Sequence, residues 1–512
     1  MPICEQNELF EKLLAELRAV THRAIELAHE CRFQRRPDSE RGFVVTIAPT
    51  AEQQAVAAAI RRRFSMWQAA VSSVLTRRGV FDRSLDQRLE TFAGLVELTY
   101  MSAMTIPAPR VRAAFEESVR TAAQELEDIL RRHAPLFRAP DPCAAMLYDR
   151  FSVRIAPAGT RWSVEASYDG NRAVEVVDAP LAVAELQSLL AVRLDAARGS
   201  AREANPQHAE FLAYVGTRLF RSVFTGSVST LYGRARVEAL RCNRGIRLEF
   251  DVHDDHLSAI PWELVHDGLR FLGLARDVAI ARRIAGRRAA HAETDAQPLR
   301  MLLTVSSPRD LTRIAPERER HAVEQAVAPL VLLGLLQLDV AHDGSVKTLN
   351  RMLTAARREG RPYQVWHLAA HGRYDAESRR GALAMTGTDG TAHWLGAVEL
   401  ASLFSDDAQL RLVVLSSCHG AEGNAHDSWS AAASAFLLCG VPAVVAQQLE
   451  ISHAAGLALA SELYGALVDG VAVEEAIAAG RRGIFNLPNY AEWVRPVLFI
   501  RSEEEASHAS GE

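Results

Sequence analysis

Two short stretches constrain this chain more than any others. Val365-Trp366-His367-Leu368-Ala369-Ala370-His371-Gly372 is an apolar run that stops on a histidine followed by glycine. Leu412-Val413-Val414-Leu415-Ser416-Ser417-Cys418-His419-Gly420-Ala421 is a second run, stopping on a cysteine that glycine again follows closely. Continuous apolar runs of this kind fit neighbouring parallel strands covered on both faces. In an open α/β sheet the carboxyl ends of such strands line the functional crevice. The pattern therefore predicts that His371 and Cys418 come together at two adjacent strand ends.

The surrounding sequence supports that frame. From Pro298 onward strands and helices alternate. Strands are expected over 302–305, 336–340, 365–368, 412–415 and 443–446. Helices are expected over 318–333, 346–358, 430–438, 454–467 and 473–482. Strand and helix in succession mean a parallel sheet with helices on both faces.

A thiol attacks only as the thiolate, and its unperturbed pKa is about 8.5. A neighbouring imidazole that takes the proton keeps the sulfur reactive at neutral pH. The backbone N–H groups of Gly372 and Cys418 are the candidate oxyanion donors. Gly372 leaves room for a substrate carbonyl, and Gly420 permits a tight turn after the nucleophile. His371 precedes Cys418 by 47 residues, close to the ~50-residue histidine-to-cysteine separation of caspases. The competing account makes Cys418 a buried structural thiol and His371 a strand-end residue bonded to backbone. His367, one pleat inside the strand, reads as a satisfied core side chain. His419 either shapes a pocket or is structural. His393, His426 and His453 show no metal-ligand spacing, and neither a metal nor a cofactor is expected.

Residues 1–138 read as a bundle of four amphipathic helices, with an Arg/Pro-rich break at 35–38. Thr50 with Gln53, and Ser84 with Gln87, look like capping boxes. Arg61-Arg62-Arg63 reads as a solvated helix face. Pro135, Pro140 and Pro142 mark a linker. A mixed segment follows, with a hairpin around Pro157-Ala158-Gly159, a strand over 173–177, helices near 182–195 and 209–224, and a strand over 245–252. It holds no nucleophile with a base and reads as structural.

Net charge is only −5, so nothing global points to nucleic acid or an anionic membrane. The positive charge is almost all Arg, with Lys at positions 12 and 347 only, a composition expected of a GC-rich bacterial genome. The six cysteines are scattered without a CxxC pair, which fits a reducing cytoplasm better than a disulfide framework. The first residues carry no pattern of a secretion signal. The apolar stretch 431–446 is too short and too interrupted to span a bilayer.

Several stretches together resemble one family, the CHAT family of caspase-like cysteine peptidases, related to caspases and separases. They are Ile260-Pro261-Trp262-Glu263-Leu264 with Phe271-Leu272-Gly273-Leu274, the histidine motif 367–372 and the cysteine motif 415–421. Residues 435–445, 464–470 and 495–498 match the family's closing elements. The resemblance covers roughly residues 210–502.

It implies a caspase-like α/β fold of two lobes behind an N-terminal all-α bundle. The segments are then 1–138 for the bundle, 139–292 for a degenerate lobe without chemistry, 293–503 for the catalytic lobe, and 504–512 for a disordered tail. It implies a cytoplasmic endopeptidase with His371 as general base and Cys418 as nucleophile. Such an enzyme would cleave a dedicated partner protein, encoded nearby, in bacterial signalling or antiviral defence. An activator would bind the helical domain. Ser417, His419, Gln447 and Glu450 are the pocket candidates. After the strand at 443–446 the family's aspartate position carries Ser452 or His453 instead. Two other readings remain open: a catalytically silent scaffold that recruits partners through the bundle, and another thiol hydrolase or acyltransferase on the same dyad.

Overall fold

The computed structural model describes residues 8–31, 33–38, 42–47, 50–77, 82–95, 108–134, 146–178, 206–252, 254–285, 298–311, 316–375, 380–404, 409–416, 425–447, 451–487 and 490–502. The chain forms two compact units. One comprises residues 1–141 with 328–335, the other 142–327 with 336–512.

The first unit contains α1 (Glu8–Glu30), β1 (Phe33–Asp38), β2 (Gly42–Ile47), α2 (Ala51–Arg77), α3 (Arg83–Leu95) and α4 (Ala108–Arg132). The helical periodicity reports its packing correctly. Leu13, Leu14 and Leu17 of α1 meet Phe64, Trp67 and Val71 of α2, Phe92 of α3, and Leu126 and Leu130 of α4 in one apolar core. Such one-sided stripes are what bundle helices bury. The Trp67 indole N–H donates to the Leu13 carbonyl at 2.8 Å, so the ring is buried without an orphaned donor. Leu333, far along the chain, belongs to the same core.

Two local expectations need correction. The Arg/Pro-rich break is an antiparallel ribbon, β1 against β2, with Pro37 opposite Phe43. A two-stranded ribbon consists only of edges, where a proline without an N–H is tolerated. The cap of α3 is Asp82, which accepts from the N–H groups of Ser84 and Leu85, and not Ser84 itself. The Thr50–Gln53 box is present, each side chain accepting from the other's backbone N–H.

The second unit is organised by one mixed sheet of eleven strands. Its elements in chain order are β3 (Tyr148–Ala158), β4 (Arg161–Tyr168), β5 (Asn171–Asp178), α5 (Pro206–Val223), α6 (Gly226–Arg241), β6 (Gly245–Val252), β7 (Val278–Ala285) and β8 (Leu299–Val305). Then come α7 (Pro316–Leu332), whose last residues belong to the first unit, β9 (Leu336–Ala341), α8 (Val346–Arg358), β10 (Val365–Ala369), β11 (Gly372–Asp375), β12 (Arg380–Thr386) and β13 (Ala392–Gly396). The remainder is α9 (Ala397–Ser402), β14 (Leu412–Ser416), α10 (Ala425–Leu438), β15 (Ala443–Gln447), α11 (His453–Val468), α12 (Val473–Phe485) and β16 (Pro496–Ser502).

The strand order is β5-β4-β3-β6-β7-β16-β15-β14-β10-β8-β9, and β11-β12-β13 form a separate three-stranded sheet. Pairing is parallel along β15-β14-β10-β8-β9 and along β3-β6-β7-β16. It is antiparallel in the β3-β4-β5 meander and between β15 and β16. All five residues of β10, of β14 and of β15 are buried, the polar His367, Ser416 and Gln447 among them. One face of these strands packs Trp366, Leu368, Val413, Leu415 and Val444 against Phe404 and Phe436.

Helix α6 has no counterpart in the sequence reading. It opens on Gly226 at φ +50° and continues through Ser227, Ser229 and Thr230, all weak helix formers. Tertiary packing fixes it: Val228, Leu231, Tyr232, Ala235 and Ala239 are buried, with the Tyr232 ring 5.4 Å from that of Phe151. The helix expected near 182–195, the proline linker and the tail 504–512 lie outside the described residues.

Candidate functional site

The two motif strands are parallel neighbours, with Val365 opposite Leu412 and Ala369 opposite Ser416. The Ala370 N–H reaches the Ser416 carbonyl at 3.4 Å, carrying the pairing to the last residue of β14. His371 lies two residues beyond Ala369, and Cys418 two residues beyond Ser416. Val305 of β8 and Gln447 of β15 end at the same level, because Val305 pairs with Ala369 and Ala446 pairs with Leu415. His371 and Gln447 are both 4% exposed. Ser417, Cys418, His419 and Glu450 lie outside the described residues.

Beyond β10 the chain enters the small sheet without a break in pairing. The Ala384 N–H donates to the His371 carbonyl at 2.9 Å, and Gly372 then lies opposite Leu383. Antiparallel pairs alternate between hydrogen-bonded and non-bonded. Since His371 and Ala384 are a bonded pair, the N–H of Gly372 points away from β12. The candidate oxyanion donor is thus not consumed by the ladder. The loop after β8 braces this sheet: the Arg309 N–H donates to the Gly390 carbonyl at 2.9 Å, and the Ala392 N–H to Asp310 at 2.7 Å.

A buried polar chain runs beneath these strand ends. His367 Nδ1 lies 2.6 Å from the Tyr464 hydroxyl of α11, and Nε2 lies 3.1 Å from Ser416 Oγ. Ser416 Oγ lies 3.4 Å from the Leu368 carbonyl, to which it can only donate. That direction fixes the rest. Nε2–H donates to Ser416, and Tyr464 O–H donates to Nδ1. The imidazole is neutral, and burial pushes its pKa down to about 4. Burial likewise pushes the Tyr464 phenol well above its usual value. The core assignment of His367 is correct, but sequence reasoning missed its two partners. Ser416 at the strand end was the one available signal.

Of the two residues singled out after β15, Ser452 is a helix cap and His453 the first residue of α11. Ser452 Oγ accepts from the Ala455 N–H at the start of α11, and its own O–H and N–H donate to the Glu492 carboxylate at 2.5 and 3.1 Å. Glu492 pairs in turn with Arg495 at 3.2 Å, both almost wholly buried. The upstream Pro261-Trp262-Glu263-Leu264 segment is also structural. Glu263, fully buried, holds Arg282 of β7 at 2.9 Å, and Arg282 donates as well to the carbonyls of Ser258 and Ile260. Among the described residues no cluster of His, Cys, Asp or Glu is arranged to hold a metal ion. No described helix is long and apolar enough to cross a membrane.

No curated protein matches the chain. Two solved structures of the separase–securin complex of Saccharomyces cerevisiae, at 2.6 and 3.0 angstrom resolution, are similar to it at 9% identity, with TM-scores of 0.40 and 0.39. Each match covers 96% of this chain and 41% or 40% of the other, so the chain spans about two fifths of the length of those proteins. The CHAT domain matches residues 230–499, a span that takes in the buried Glu263 segment, both motif strands and most of β16. With more than half of its length accounted for in this way, the chain belongs to the CHAT-domain family.

Proposed function

We propose that the chain is a cysteine endopeptidase in which His371 draws the proton from Cys418 and the thiolate attacks a peptide carbonyl. The N–H groups of Gly372 and Cys418 receive the oxyanion. The observation that carries this reading is the pairing of β10 with β14, Ala369 opposite Ser416. It gives the two reactive residues equal offsets from one paired row. Family membership supplies a caspase-like scaffold for the same chemistry.

The substrate in this reading is a dedicated partner protein of a bacterial signalling or defence system. The helical unit is the recognition or regulatory element that gates cleavage, and the cytoplasm is the site of action. Residues 139–292 act as a lobe without chemistry, 293–503 as the catalytic lobe. Gln447, with Ser417, His419 and Glu450, lines the substrate pocket.

The test is cleavage of co-expressed neighbouring gene products by the full chain, read as new protein N-termini. Cys418→Ala and His371→Ala should each lower the rate on the order of 10⁴-fold or more, with the fold retained. Cleavage that persists in Cys418→Ala refutes the mechanism. Transfer of an acyl group to the partner without fragments would assign the dyad to another reaction.

A further inference from the structure

We infer that Arg373, braced on the face of Trp394, is a specificity-determining residue that reads a carboxylate side chain of the protein substrate within two residues of the cleaved bond. The inference rests on the peptidase reading of the same site. It starts from register. His371 lies opposite Ala384, and Ala384 lies opposite Trp394. Residues directly opposite in a sheet share a face, and so do residues two apart along a strand. His371, Arg373, Ala384 and Trp394 therefore share one face of the small sheet, with the base buried at its start and the exposed arginine two residues further along the chain.

The arginine is poised for a ligand. Its guanidinium carbon lies 4.4 Å from the centroid of the Trp394 ring, and the residue is exposed. Among the described residues nothing else engages it by a hydrogen bond or an ion pair. Arg320, in the helix that precedes β9, is by contrast committed to Glu317 and Glu324. Stacking on an aromatic face fixes the plane of a guanidinium while leaving its N–H fork directed outward, a geometry that matches a carboxylate.

Distance selects which part of the substrate is read. Two residues along a strand span about 6.6 Å. An extended substrate advances at the same pitch, so a peptide whose scissile carbonyl lies at His371 brings a side chain one or two residues away to Arg373. A glutamate or aspartate there gains a charge-assisted hydrogen bond that glutamine or lysine does not.

The experiment uses the full chain and pools of internally quenched octapeptides. Each pool holds one position as Glu, Gln or Lys, with the others randomised, and Cys418→Ala is the blank. At one position within two residues of the cleaved bond, the Glu pool should be cut about tenfold faster than the Gln pool. Arg373→Gln should abolish that ratio, Arg373→Glu should invert it towards Lys, and Trp394→Leu should shrink it without inverting it. A Glu-to-Gln ratio near one at every position, or a preference that survives in Arg373→Glu, overturns the inference while leaving the peptidase reading intact. Absence of any Cys418-dependent cleavage removes the peptidase reading and the inference with it.

Discussion

Acidification should loosen the strand ends through one buried ring. His367 is held neutral in the folded chain, with its pKa lowered to about 4 by burial. In the unfolded chain it titrates near 6.5. Between those values the unfolded state binds the proton and the folded state does not, so unfolding is favoured as pH falls. The stabilisation is complete above about pH 6.5 and is lost progressively down to about pH 4. The full shift corresponds to about 3 kcal/mol, of which about 2 kcal/mol is lost between pH 7.5 and pH 5. The ring is nearly inaccessible, so solvent screening offers little relief. Its hydrogen-bond partners, Tyr464 and Ser416, are both uncharged and cannot compensate a proton. Hydrogen exchange of the peptides spanning β10 and β14 measures opening at this place alone, which matters in a chain of two units. Protection there should fall by about 2 kcal/mol from pH 7.5 to 5. In His367→Gln, which keeps a donor and an acceptor but cannot titrate in this range, protection should start lower and stay flat. Parallel loss in both proteins would refute the reasoning and assign the pH dependence to other groups, His266 among them.

Three further outcomes follow from packing. Glu263→Gln leaves Arg282 and Arg481 without their shared buried counter-charge, so the melting temperature should drop by the equivalent of about 3–5 kcal/mol. Gly216→Ala places a methyl group on the Leu264 carbonyl oxygen and the His266 Cβ; calorimetry should show a loss of about 1–3 kcal/mol from overpacking. Ser452→Ala removes both the N-cap of α11 and a hydroxyl donor to buried Glu492, a loss of about 1–3 kcal/mol that denaturation can detect, and should leave the Glu-to-Gln selectivity of cleavage unchanged.

The parts of the fold that were legible in the sequence are those where one local signal has one structural solution. The short, largely apolar runs at 365–368 and 412–415, each followed by a turn signal, suit interior parallel strands, and they are adjacent as expected. The leucine stripe of α1 can be buried only against other helices. What the sequence hid depends on distant partners. Ser227 and Thr230 disfavour helix locally, yet α6 forms because Tyr232 and Leu231 find a sheet to cover. The cap role of Ser452 was hidden in the same way, because Glu492, forty residues on, is its partner. The Arg373–Trp394 pair depends on the register of three strands, which no spacing rule between positions 373 and 394 encodes.

The same dependence explains what the half of the sheet without candidate chemistry contributes to the half that carries it. Glu263 holds Arg282 on β7, and Arg481 of α12 comes within 4.0 Å of the same carboxylate. Arg481 also donates twice to the Pro496 carbonyl, at 3.1 and 2.9 Å. Pro496 opens β16 and pairs with Gln447, the residue that ends β15 at the level of the ends of β10 and β14. A few residues earlier, Glu492, paired with Arg495, holds Ser452, where the chain enters α11. Tyr464, farther along α11, donates to His367. Each step is a buried charge or a buried hydrogen bond, and a polar group so placed is costly to displace unless its partner moves with it. The Glu263 segment therefore sets the position of β16, β16 sets the end of β15, and α11 closes the circuit beneath β10. An insertion that shifts Glu263 relative to β7 should reach His367 through this route, read as lowered hydrogen-exchange protection of β10.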